Sequence, residues 1–200
     1  MQEKRSNKDY KALKWTGILA AIATTVLAIT ALVTVYVTVS AWKEERESAR
    51  PYLSLKESPK IEPAESLNFE FIFNNVGVHP ATNMVSKTLV FNDNLAEQPI
   101  HNDEFDLVNE IPKDNSSGLL ISLDKKDLDP ASKNTNPYFI VIRLGYYDPV
   151  LKERYNQIVF LKWNGIKNGK IQPIMHVRAV EKVKILEYFS FNKIDPNSTI

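Results

Sequence analysis

The chain has 200 residues, and its 25 Lys and Arg against 24 Asp and Glu leave a formal charge of +1, which gives no electrostatic reason to bind nucleic acid. Cysteine is absent, which excludes disulfides, thiolate metal sites, iron–sulfur clusters and cysteine nucleophiles while fitting any compartment. Phe, Tyr, Ile and Val are plentiful beyond residue 51, so the composition there is that of a packed domain rather than a disordered tail.

Residues 1–14 form a basic tail with Lys4, Arg5, Lys8, Lys11 and Lys14. Trp15–Trp42 then runs WTGILAAIATTVLAITALVTVYVTVSAW without one charged side chain. A hydrocarbon core of about 30 Å needs roughly 20 apolar residues as helix, at about 1.5 Å each, so this stretch is long enough to span. It predicts a transmembrane helix over 15–42 with the lipid bilayer as its first partner. Trp15 at one end, with Tyr36 and Trp42 towards the other, suits an aromatic belt at both interfaces. The basic flank precedes the helix and a mixed-sign run, Lys43–Arg50, follows it. That bias predicts a cytoplasmic N-terminus and places residues 51–200 outside the cytoplasm, in a single-pass protein of the cell membrane. Val39-Ser40-Ala41 looks like a signal-peptide cleavage site, but the apolar run far exceeds the roughly 7–15 residues of a signal core. Small-residue spacings such as Gly17-x-x-x-Ala21 would allow packing on another helix, and a lone anchor is the simpler reading.

Residues 43–50 (KEERESAR) carry strong helix formers and no apolar stripe, so they extend the helix as a juxtamembrane stalk until Pro51 stops it. A domain over 51–177 follows. Tyr52–Lys56 alternates as a first strand, and Glu57–Glu65, with two prolines, reads as a loop. In Ser66–Asn74 the residues Leu67, Phe69, Phe71 and Phe73 share one face, the pattern of a half-buried strand. Asn75-x-Gly77-x-x-Pro80-Ala81 breaks it, Gly77 being suited to positive φ and Pro80 to a turn or an edge. Thr82–Phe91 is the partner strand, and Asn92–Ser117 reads as a long loop with at most one short element. Gly118–Leu123 predicts a buried strand and Asp124–Asn136 a loop. Pro137–Tyr147 and Tyr155–Trp163 are the two arms of a hairpin turned at Asp148-Pro149. Asn164-Gly165 and Asn168-Gly169 are turn signals, and Ile171–Val177 is one more strand. From Arg178 the period changes to three or four, with Ala179, Val180, Val183, Leu186 and Phe189 as the apolar face of an amphipathic helix, and a tail ends the chain within 178–200. Many short strands separated by turns predict a mainly β fold, an antiparallel immunoglobulin-like sandwich between the membrane helix and this C-terminal helix.

The strand ending in Asn75-x-Gly77-x-x-Pro80-Ala81, with Asn83 beyond it, resembles bacterial immunoglobulin-like domains of the CARDB kind. Arg50-Pro51-Tyr52 after an apolar helix, then Tyr146-Tyr147-Asp148 and a strand from Tyr155 to Trp163, are similar to a broad group of single-pass bacterial membrane proteins. The resemblance implies a sandwich on an anchor, serving adhesion, assembly or recognition, with no catalytic motif. Pro149–Glu153 replaces the Gly usual in that hairpin.

No residues point to chemistry. His79, His101 and His176 show no metal-ligand spacing, and His79, in the turn between strands, and His101, in an acidic loop, are expected to be solvated. A blue-copper site at Met175-His176 would lack its cysteine, and the acidic runs around Asn92–Asp106 and Asp124–Asp129 lack the EF-hand spacing. There is no nucleophile elbow and no phosphate loop. The expectation is therefore a non-enzymatic interaction or assembly module with no cofactor or metal and a protein partner. The rival classes are a ligand or metal sensor, distinguished by whether the histidines or acidic loops converge on one pocket, and an enzyme with a loop-built site, distinguished by a cleft holding two or more polar groups with shifted pKa. Tyr138, Tyr146, Tyr147, Tyr155 and Trp163 are candidate interaction aromatics, weighed against a second packed layer in which the C-terminal helix covers that sheet face.

Overall fold

The computed structural model describes residues 3–63, 66–96, 98–123 and 134–194, with side chains from residue 15 onward. Two compact units divide the chain, residues 1–48 and residues 49–200.

The first unit is helical. Helix α1 spans Glu3–Ala49 without a break, so the basic tail, the apolar run and the stalk are one helix, ending as Pro51 requires. From Trp15 onward it is long and apolar enough to cross a membrane, and it lies near the N-terminus, as either a membrane span or a signal sequence would. The hydroxyls of Thr24, Thr25, Thr30, Thr34 and Thr38 each donate to the carbonyl four residues earlier, at 2.8–2.9 Å. Every one of those polar groups is thereby satisfied within the helix itself.

The second unit is an antiparallel β-sandwich. Its first sheet contains β1 (Leu53–Leu55), β2 (Lys60–Pro63), β3 (Leu67–Asn75) and β7 (Ser116–Leu123). Both β1 and β2 pair with one edge of β3 and β7 pairs with the other. The segment read as a proline loop, 57–65, thus contains β2, because Pro63 sits at the strand's end on an open edge, where no donor is needed. The second sheet runs β12 (Ile174–His176), β9 (Glu153–Trp163), β8 (Tyr138–Asp148), β4 (Ala81–Asn92) and β5 (His101–Asp106), with β6 (Glu110–Ile111) on the start of β4. Strands β5 and β6 replace the long loop expected over 92–117, and their polar residues reflect an exposed edge strand, not a missing one. The chain passes between sheets at β3–β4, β6–β7 and β7–β8, while β4–β5 and β8–β9 are hairpins within a sheet, the Greek-key arrangement of an immunoglobulin-like sandwich. A small hairpin, β10 (Ile166–Lys167) and β11 (Lys170–Ile171), turns at Asn168 and Gly169, both at positive φ as the Asn-Gly signal requires.

Alternation along the strands builds the core. Leu67, Phe69, Phe71 and Phe73 of β3 and Leu119, Ile121 and Leu123 of β7 meet Ile140, Ile142 and Leu144 of β8. Trp163 is wholly buried among them, 5.3 Å edge-on from Phe69, its Nε1 donating to the Gln172 carbonyl at 2.8 Å. The second face of the six-stranded sheet carries a further layer. Helix α2 (Ala179–Phe191) docks Ile185 and Phe189 against Leu89, Phe91, Phe139, Val141 and Phe160. The buried face of α2 is Glu181, Ile185 and Phe189, so of the apolar face predicted from its sequence only Phe189 turns inward, and Val180, Val183 and Leu186 are exposed. The loop predicted over 124–136 falls mostly outside the described residues, as does the tail beyond residue 194.

Candidate interaction surface on the six-stranded sheet

Register decides what this surface is made of. On β8, Tyr138, Ile140, Ile142, Leu144 and Tyr146 face the other sheet, and Phe139, Val141, Arg143, Gly145 and Tyr147 face outward. Helix α2 covers the Phe139–Val141 half of that outer face. The half towards Asp148 is open, and there Arg143 lies opposite Lys87 and Ile158, Gly145 opposite Val85 and Asn156, and Tyr147 opposite Arg154. Together they form a depression of about 260 Å³, whose lining includes Asn83, Arg143, Tyr147, Arg154 and Asn156.

Arg143 is the floor, only 5% exposed, in a strand otherwise apolar on this side up to that point. Gly145 keeps the floor open. A Cβ there would stand 3.0 Å from Val85 Cγ2 and 3.3 Å from Asn156 Oδ1. Asn83, at the rim, has φ +48 at a β-bulge in which two residues of β4 oppose one of β8. The lining holds two guanidinium groups and no carboxylate or histidine, so its field attracts anions. Chemically, the exposed Arg154 guanidinium at its wall can meet a carboxylate and Asn156 an amide. Tyr146 is the lining group with a displaced pKa, raised because burial disfavours the phenolate, and its hydroxyl donates to the Pro51 carbonyl at 3.0 Å instead of entering the depression.

The candidate aromatics separate on burial. Tyr138, Tyr146 and Trp163 are core residues, which removes them as surface groups. Tyr155 is half-buried on the inner side, 6.0 Å from the Tyr146 ring with the Arg50 guanidinium 5.4 Å over it. Tyr147 alone of the five is part-exposed on the outer face. The second-layer reading therefore holds for the half under α2. Sequence reasoning missed Arg143, Arg154 and Asn156, although a charged residue and then a glycine on one face of an apolar strand was the available signal.

The residues that carried the family resemblance form a different construction, at the end of the sandwich where Asp148 lies. The wholly buried Asn75 side chain accepts from the backbone N–H of Tyr52 and Gly77, at 3.2 and 3.0 Å, and donates to the carbonyls of His79 and Ile111, at 2.8 and 3.0 Å. All its amide capacity is used. Gly77 does not supply positive φ as expected; it is required because a Cβ would sit 2.2 Å from the Arg50 carbonyl oxygen. Pro80 precedes β4, and Ala81, fully buried, begins it. Asp148, also fully buried, accepts from Val150 and Leu151 N–H at 2.8 and 3.1 Å, capping the hairpin turn, and its other oxygen lies 2.8 Å from His79 Nδ1. His79 is thus tied down rather than solvated, and His101, mostly buried on β5, has Nε2 3.5 Å from Asp103. No group of three or more His, Asp or Glu could hold a metal among the described residues.

Between β1 and β9 lies a second cleft of about 440 Å³. Gln157 crosses it, accepting from Leu53 N–H at 3.1 Å through Oε1 and donating through Nε2 to the Leu53 carbonyl.

These features define a class: an immunoglobulin-like sandwich that follows a long apolar helix and carries a helix packed on the outer face of its larger sheet. Residues 17–167 match the family described as Domain of unknown function (DUF8453), and the chain belongs to that family. The match covers β1 to β10 and ends before β12 and α2. Among curated proteins, none matches the chain.

Proposed function

We propose that this protein is a membrane-anchored, non-enzymatic interaction module, in which α1 spans the cell membrane with its N-terminus in the cytoplasm and the sandwich engages a protein partner outside. The observation that carries the reading is the open half of the outer sheet face, a cationic depression with the nearly buried Arg143 at its floor and Arg154 and Asn156 at its wall. Its chemistry suits a partner side chain or chain end bearing a carboxylate. Internal satisfaction of five threonine hydroxyls supports the anchor, since an unsatisfied polar group in hydrocarbon is costly.

The test is gentle solubilisation of membranes, with Asn156 replaced by a photo-crosslinking residue in the full chain. A single discrete adduct, lost in Arg154→Glu, is the expected result. A clean monomer under several mild detergents, without an adduct, would overturn the assembly role. Orientation is read separately: a lone cysteine introduced at Lys113 reacts with an impermeant maleimide on intact cells only if the sandwich is outside.

A further inference from the structure

The edges of the two sheets are not alike. Strand β5 carries Asp103, Glu104 and Asp106, β2 carries Lys60, Glu62 and Pro63, and at β1 the Leu53 backbone is occupied by the Gln157 side chain. Charge and proline at an edge keep another strand from adding to it. Strand β7 has neither: Ser116–Leu123 reads SSGLLISL. It pairs with β3 on one side and with no strand on the other among the described residues. The Asn75 N–H donates to the Asn115 carbonyl at 3.0 Å, which sets the phase of this ladder. Odd-numbered residues of β7 therefore bond β3, while Ser116, Gly118, Leu120 and Ser122 turn their N–H and C=O to the open edge. Their side chains lie on the outer face, where Leu120 is 58% exposed and a Cβ on Gly118 would meet only the Phe71 carbonyl oxygen, 4.0 Å away.

We propose that β7 pairs antiparallel with β7 of a second copy about a twofold axis at Leu119, joining two four-stranded sheets into one. A contact between identical surfaces must be complementary to itself, and this strand is. With Leu119 opposite the partner's Leu119, Ser116 falls opposite the partner's Ser122 and Gly118 opposite the partner's Leu120. All four outward-turned residues then exchange backbone hydrogen bonds. On the exposed face each Leu120 fills the space over a glycine, and the two Leu120 side chains flank the axis as diagonal neighbours. No like charges meet, because the strand has none, whereas the same operation on β5 would set acid against acid. The neutrality also selects the occupant: this edge offers a basic or acidic segment no opposite charge to pair with. The pairing uses neither the depression nor α1, so it stands or falls apart from the reading above.

The full chain in mild detergent, over a dilution series, is followed by light scattering for protein mass and by the distance between spin labels at Ser116→Cys, since the chain has no cysteine of its own. The expected results are a mass of two chains and labels about 20 Å apart, the rise of six strand residues at roughly 3.4 Å each. Leu120→Lys, at an exposed position, sets two ammonium groups beside the axis and should give a one-chain mass, as should Leu120→Glu. An equimolar mixture of the two variants should recover the two-chain mass, which a merely misfolded edge would not do. Ser122→Pro removes an N–H that β3 does not use and should also give a one-chain mass, without any change of charge. A one-chain mass at every concentration of the unmodified chain would overturn the proposal. A two-chain mass that survives Leu120→Lys and Ser122→Pro would assign the association to another surface and equally overturn it. So would labels far from that separation, or a mixture of the Lys and Glu variants that stays single.

Discussion

Strand β8 is buried on both faces, and the two burials differ in kind. Its inner face presents five apolar or aromatic residues to a second sheet, held at one end by Asn75 of β3, whose four side-chain hydrogen bonds reach the residue before β1, β6 and the turn before β4. Its outer face presents Phe139 and Val141 to a helix of thirteen residues and then changes to Arg143, Gly145 and Tyr147. The inner burial comes from strands distant in sequence, so losing it unfolds the domain. The outer burial comes from one terminal element attached through few side chains, the situation in which a segment opens locally. A face closed by a whole sheet serves stability, and one half-closed by a helix leaves room for recognition.

The largest expected effect lies on the inner side. Asn75→Ala leaves two buried N–H groups and two carbonyls unpaired and should cost roughly 5 kcal/mol, enough to unfold many domains, as read by denaturant titration of the unit. Next, Phe189→Ala should cost about 3 kcal/mol but remove amide protection from α2 alone while β3 and β7 stay protected in hydrogen exchange. Equal loss of protection in β3 would break the distinction between the two faces.

Glu181 sharpens it further. The Arg178 guanidinium, then the Arg178 backbone N–H and Lys162, hold its carboxyl down at about 2 against an ordinary 4.5. A carboxylate with a depressed folded pKa stabilises above its unfolded value, so this contribution is complete above pH 4.5 and disappears as pH falls from there towards 2. Protection of α2 should therefore fall over that window, and Glu181→Gln should cost about 1–2 kcal/mol at neutral pH and flatten the dependence. The smallest effect has the opposite sign. Ser86 Oγ and Thr88 Oγ1 are buried without hydrogen-bond partners on the inner side of β4, across from Leu144 and Ile142. Thr88→Val should stabilise by about 1 kcal/mol, measured as a raised denaturation midpoint with unchanged slope.

Much of this was legible in the sequence where one period ruled a segment. Alternation located β3 and β8 to within a residue or two, and the Asn-Gly pair located the β10–β11 turn. Strands β5 and β6 were not legible because an edge strand with little core to cover has no apolar alternation to show. The inward face of α2 was misread because the helix has apolar residues on two sides, and period alone cannot say which one meets the sheet. The reason for Gly77 was hidden too, since close approach of a segment 27 residues away leaves no local mark.

Gln157 makes a last point about how the sandwich ends at its side. One carboxamide there takes both the donor and the acceptor of Leu53, the pair of bonds a neighbouring strand would otherwise make. A side chain is thus a surrogate ribbon at an open seam, blocking the register a foreign strand would need to add itself. The safeguard along that seam is one residue deep, so replacing Gln157 by an aliphatic residue leaves the Leu53 N–H and carbonyl unpaired and should both lower stability, by roughly 2 kcal/mol, and raise self-association on warming.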